Sequence, residues 1–156
     1  MILTDREIVE ALVRKELSIE PFNRNNLTPN GYDLTIAEIL VLDKNLSIKE
    51  GSIKISAKTW FVLSTKEYLK LRSLCAQLWL RTTFARKGII GSFGKVDAGF
   101  EGNLTLSAFN ASDKEVEINI GDRFAQIVFE RLKAPELLYP LRSGNYFKQR
   151  GIKLAP

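Results

Sequence analysis

The 156-residue chain contains no histidine, one cysteine (Cys75), one methionine, and no apolar run beyond a few residues. Without imidazole there is no Ser-His or Cys-His nucleophilic system and no histidine-based metal site. Zinc-dependent nucleobase deaminases are excluded as well, because their metal needs one His with two Cys, or three Cys. Chemistry must therefore rest on Asp, Glu, Lys, Arg, Tyr, hydroxyls or a hard cation such as magnesium. A single cysteine forms no intrachain disulfide, and a reducing, cytoplasmic location is expected. Apolar stretches such as Trp60-Phe61-Val62-Leu63 are far too short to cross a bilayer. Asp5, Arg6 and Glu7 interrupt any charged-then-apolar leader pattern.

What is present reads as one domain over residues 1–156, with residues 142–156 a mobile C-terminal lid that is polar, basic and punctuated by Gly144 and Gly151. The net charge of +5 is spread along the chain. It fits a polyphosphate ligand, nucleic acid, a membrane surface, or simple solubility. Thr4-Asp5-Arg6-Glu7 fits a capping box, with Ile8, Ala11 and Leu12 on one face of a helix ending before Pro21. Short alternating or apolar segments follow, bounded by turn residues: 34–42, 53–55, 60–65, 76–81, 104–110, 116–120 and 124–132. A short helix is expected around Thr65 to Leu74. This pattern implies a mainly β protein of sandwich, barrel or jelly-roll type with an N-terminal helix.

Four segments carry chemistry-bearing residues: Asn30-Gly31-Tyr32-Asp33-Leu34, the run from Arg81 to Gly88, Val96-Asp97-Ala98-Gly99-Phe100-Glu101-Gly102, and Gly121-Asp122-Arg123-Phe124-Ala125-Gln126. Thr82 and Thr83 offer two adjacent hydroxyls flanked by Arg81 and Arg86, a set suited to charge-assisted bonds with phosphate oxygens. Read alone, the same run is a strand end and a basic turn. Asp97 is either a turn residue bonding its own backbone or the group that orients and deprotonates a water.

In this order the segments resemble the motifs of the dUTPase and dCTP deaminase superfamily. The N-terminus, Ile19-Glu20-Pro21-Phe22 and the tail from Asn145 to Gly151 resemble the deaminase branch. The resemblance implies a distorted jelly-roll, barrel-like dUTPase fold. It also implies a homotrimer whose sites are built from neighbouring subunits, with dUTP as substrate, Mg2+ as cofactor, and no nucleic-acid or membrane partner. It places the catalytic role on Asp97 and an aromatic floor for the deoxyribose at Phe100. Substrate contacts fall to Arg81, Thr82, Thr83, Arg86 and Gln126, and to Thr105, Leu106 and Ser107 of the base-reading hairpin. Tyr139, Gln149 and Arg150 of the tail complete the set. Asp33 would act through magnesium-bound water, with no direct metal ligand.

Four departures from the family pattern are visible. Thr82 and Thr83 replace two serines, Asn145 replaces a lysine, and Phe93 stands where a small residue is usual. Ser107 occupies the position of the glutamate that shuttles protons in the deaminases, and a hydroxyl is a poor base near neutral pH. The expected activity is hydrolysis of dUTP to dUMP and pyrophosphate, which supplies dUMP and keeps uracil out of DNA. The alternatives are a dCTP deaminase, alone or bifunctional and served by Glu101, and a non-catalytic nucleotide-binding relative. A basic nucleic-acid-binding module is a more distant reading.

Overall fold

The computed structural model describes residues 1–155. Helix α1 (Asp5–Val13) leads into strands β1 (Leu17–Glu20), β2 (Leu27–Thr28) and the long β3 (Gly31–Val41). Strands β4 (Leu46–Ile48), β5 (Ser52–Ile55), β6 (Trp60–Thr65), β7 (Tyr68–Leu71) and β8 (Leu74–Leu80) follow. A single turn of helix, α2 (Thr82–Ala85), precedes β9 (Ile89–Ile90), β10 (Lys95–Val96), β11 (Glu101–Gly102) and β12 (Thr105–Asn110). Strands β13 (Val116–Asn119) and β14 (Arg123–Arg131) and the short helix α3 (Tyr139–Arg142) complete the set.

The main sheet runs β10-β8-β14-β3-β6-β12-β9, with β2 and β4 also pairing β3. Pairing along β3 slips between Ile36 and Glu38 on the β6 side, and β14 slips between Arg123 and Ala125. Such irregularities bend a strand and increase its twist, so β3 serves both flanks of a curled sheet. Two smaller sheets, β1-β7-β11 and β13-β5, accompany it. The expected mainly β architecture with an N-terminal helix is therefore observed. Strict alternation in β5, β12 and β13 places every second side chain in the core. At the centre Phe124 meets Phe84, Phe61 and Phe93, with ring centroids 4.8, 6.2 and 6.2 Å away.

The capping box forms: Thr4 N–H donates to Glu7 Oε2 at 2.9 Å and Glu7 N–H to the Thr4 hydroxyl at 3.4 Å. The helix is shorter than the spacing predicts. It stops at Arg14, Lys15 turns at φ +58°, and Leu17 and Ile19 enter the core from strand β1. The helix expected around Thr65 to Leu74 is corrected to strand β7 with a turn on each side. Its Lys, Glu and Leu residues are good helix formers. However, β7 is held by β1 on one edge and β11 on the other, and pairing on both edges overrides local preference.

Candidate active site

Asp97 sits in a tight turn between β10 and β11. Phe100 N–H bonds Asp97 O at 3.1 Å, so the backbone closes this turn. Gly99 takes φ +89°, and a Cβ there would lie 2.8 Å from Leu138 Cβ. Glycine thus lets the chain after β14 pass directly against the turn, where Tyr139 N–H bonds Ala98 O at 2.9 Å. Asp97 itself is exposed and opens onto a cleft of about 600 Å³.

The cleft lies over β6 and β12. Val62 is paired with Ser107 and Ser64 with Thr105, and paired residues share a face of the sheet. The cleft lining combines apolar Val62, Leu78, Phe93 and Leu106 with polar Lys95, Asp97, Asn145, Gln149 and Lys153. Phe100 and Tyr139 also line the cleft, ring centroids 5.7 Å apart. Strand β12 is paired along one edge by β6, whereas β9 reaches only Phe109 and Asn110 on the other. The stretch from Thr105 to Ala108 therefore presents backbone groups at a sheet edge. Asn103, buried at the β11–β12 corner, fixes that edge by donating to Thr65 O at 3.0 Å and Glu67 O at 3.1 Å.

Of the residues singled out in the sequence, Asp97, Phe100, Thr105, Leu106, Ser107, Tyr139 and Gln149 converge on this cleft. Arg81, Thr82, Thr83, Arg86, Gln126, Asp33 and Arg150 do not line it. Asp33, Arg81 and Gln126 gather instead on the outer face of β3, β14 and β8. Asp33 Oδ2 accepts Arg81 Nε at 3.0 Å and lies 3.6 Å from Arg123 Nη1, while Gln126 Nε2 donates to Thr28 Oγ1 at 2.6 Å. Burial raises the Asp33 carboxyl above its ordinary pKa, and Arg81 and then Arg123 oppose that rise. Thr82 and Thr83 open α2, and Arg86, just after it, lines a separate cleft of about 490 Å³ with Lys87 and Lys114. Arg150 stacks on Tyr68, 3.7 Å from the ring centroid.

The two groups are far apart within one chain. Val96 pairs with Ala76 on β8, and Arg81 lies five residues further along, roughly 17 Å of strand. Lys95 and Lys153 line the cleft and Arg123 lies beside Asp33 in the second group, placements that motif reading missed. Lys95 is two residues from Asp97, an extended-chain spacing that places both on the cleft. Arg123 lay inside a quoted motif. Lys153 is brought in by the tail, without any local signal.

Among the described residues no group of three or more His, Cys, Asp or Glu side chains could cage a metal ion. No helix there is long and apolar enough to cross a membrane.

The family model for dCTP deaminase-like proteins matches residues 2–132. A dCTP deaminase of Thermococcus kodakarensis is 44% identical over 92% of this chain and 93% of its own length. A protein of Sulfolobus islandicus rod-shaped virus 1, named "Probable deoxyuridine 5'-triphosphate nucleotidohydrolase", is 39% identical over 99% of this chain and 98% of its own. The structure of the Agrobacterium tumefaciens dCTP deaminase superposes with a TM-score of 0.71 at 19% identity. That alignment covers 85% of this chain and 48% of the other, so this chain spans about half of that protein. A native EIAV dUTPase superposes with a TM-score of 0.56 at 15% identity, covering 78% of this chain and 92% of the other. The two structures share the fold, and the matched family model and the two relatives carry the assignment: the chain belongs to the dCTP deaminase-like family.

Proposed function

We propose that the protein hydrolyses dUTP to dUMP and pyrophosphate. The observation that carries this reading is that Asp97 is the one carboxylate on the cleft wall among the described residues. Hydrolysis at the α-phosphorus asks for a single base to orient and deprotonate water. Water held by Asp97 attacks the α-phosphorus in line, and pyrophosphate departs with the electrons of the broken P–O bond. Lys95 and Lys153 supply positive charge from the same chain. A cleft of this volume suits a nucleotide. The free edge of β12 offers backbone donors and acceptors that pair with uracil and mismatch cytosine, and Phe100 underlies the sugar.

The separation of Arg81, Thr82, Thr83, Arg86 and Gln126 from Asp97 supports a composite site. In this reading a second copy lends those residues to each cleft, and three copies close the ring. Their guanidinium and hydroxyl groups would stabilise charge building on the phosphate oxygens. Magnesium is commonly held by substrate phosphates with one or two carboxylates. Asp33 would hold it through bound water. Magnesium bound there would neutralise phosphate charge.

A second reading, deamination of dCTP, is favoured by the name of the Thermococcus relative. It asks for a proton shuttle beside C4 of the base, where this chain carries Ser107. The test is release of pyrophosphate from dUTP with magnesium, compared with Asp97→Asn. The variant is expected to lose about 10²–10⁴-fold in turnover with an unchanged unfolding midpoint. Undiminished turnover in Asp97→Asn would remove Asp97 from the mechanism.

A further inference from the structure

The tail beyond α3 runs back across the β11–β12 hairpin. Lys148 N–H donates to Glu101 O at 2.6 Å and Asn103 N–H to Gln149 O at 3.0 Å. Lys153 N–H reaches Thr105 Oγ1 at 2.9 Å. Gly102 makes the approach possible: it takes φ +150°, and a Cβ there would meet Gln149 N and O at 3.1 Å. Each such bond adds only a modest net stabilisation, because it replaces a bond to water in the undocked tail.

Gln149 adds a cost. Its Oε1 is buried without a hydrogen-bond partner among the described residues, while its Nε2 donates to Asn103 O. Docking the tail therefore strands an acceptor at the cleft until a ligand supplies a donor. Something must hold the tail down meanwhile.

Arg150 is placed to do this. Its guanidinium lies 3.7 Å from the centroid of the Tyr68 ring, and neither residue lines the cleft. The ring is a fixed platform. The Tyr68 hydroxyl donates to Glu101 Oε1 at 2.9 Å, Lys70 Nζ lies 3.5 Å from the same oxygen, and β7 is paired on both edges. A cation on an aromatic face is a contact that water replaces poorly.

We propose that Arg150 is a positioning residue: stacked on Tyr68, it clasps the tail to β7 and β11 and so holds Gln149 and Lys153 at the cleft mouth without touching substrate. The proposal rests on the reading of the cleft as the dUTP site, and its test separates the two.

Amide hydrogen exchange is measured on the full chain without nucleotide, for wild type, Arg150→Ala, Arg150→Lys, Tyr68→Leu and Tyr68→Phe. The amides of Asn103, Lys148 and Lys153 are expected to exchange about 2- to 5-fold faster in Arg150→Ala and Tyr68→Leu. The double variant should be no faster than either single one, since both remove one contact. Tyr68→Phe keeps the ring and stays near wild type, and Arg150→Lys falls between. In turnover, the KM for dUTP rises by a similar factor in both disruptive variants, with a smaller change in kcat.

Unchanged exchange in Arg150→Ala overturns the clasp. So does a KM effect confined to Arg150→Ala and absent in folded Tyr68→Leu, which would make Arg150 a phosphate ligand. Should Tyr68→Leu fail to fold, exchange in the two Arg150 variants decides alone. Faster exchange in Arg150→Ala, from a wild type that releases no pyrophosphate from dUTP, upholds the clasp and overturns dUTP hydrolysis.

Discussion

Glu101 Oε1 accepts the Tyr68 hydroxyl at 2.9 Å, and this bond turns the carboxylate onto β7 and off the cleft wall. Glu101 opens the hairpin that carries Ser107, and so is the obvious substitute for a missing proton shuttle. With Glu101 committed to Tyr68 and Lys70, the proposed base-reading edge carries only the Ser107 hydroxyl. Incubation of the protein with dCTP and magnesium is therefore expected to release no ammonia under conditions where dUTP yields pyrophosphate. Ammonia at a comparable rate would transfer the assignment to deamination and require a different acid and base.

A second expectation concerns the buried Asp33 and its arginines. Burial raises the folded-state carboxyl pKa despite Arg81 and Arg123, so ionised Asp33 is tolerated because those cations offset its desolvation. Arg81→Ala removes the stronger of the two opposing charges. The variant is expected to lose about 1–3 kcal/mol at neutral pH, where Asp33 is charged and now poorly compensated. The loss should shrink as pH falls through the Asp33 titration, because a protonated carboxyl no longer needs Arg81. Urea unfolding of both proteins across that range measures it, and a pH-independent difference would mean that Arg81 acts through packing alone.

Legibility in the sequence followed physical range. The alternation of β5, β12 and β13 and the capping box at Thr4 are local signals, and both were readable. Strand β1 was hidden because only Leu17 and Ile19 point inward, too few to display a period. Strand β7 was misread because its helix-forming residues are overruled by neighbours distant in sequence. For the site, motif order brought Asp97, Phe100, Ser107 and Gln149 onto one list, and they share one cleft. The same list held Asp33, Arg81 and Gln126, which cluster elsewhere. A motif says which residues travel together, but not which surface of the chain each one faces.

The last expectation is a pH dependence of stability from Glu67, buried in the turn between β6 and β7. Its carboxylate accepts Thr35 N–H at 2.9 Å and the Thr35 hydroxyl at 2.8 Å. Burial nevertheless outweighs these bonds and raises the folded-state pKa above its ordinary value. A raised acid binds its proton more tightly in the folded state, so its contribution is full at low pH and is lost as pH rises through the folded pKa. Glu67→Gln removes this titration while keeping both contacts, its oxygen accepting Thr35 N–H and its amide donating to the Thr35 hydroxyl. The variant should match wild type at acid pH and become the more stable of the two as pH rises toward neutrality. Paired urea titrations at several pH values test this. A gap that instead widens on acidification would show that the Thr35 bonds, and not burial, dominate the energetics of Glu67.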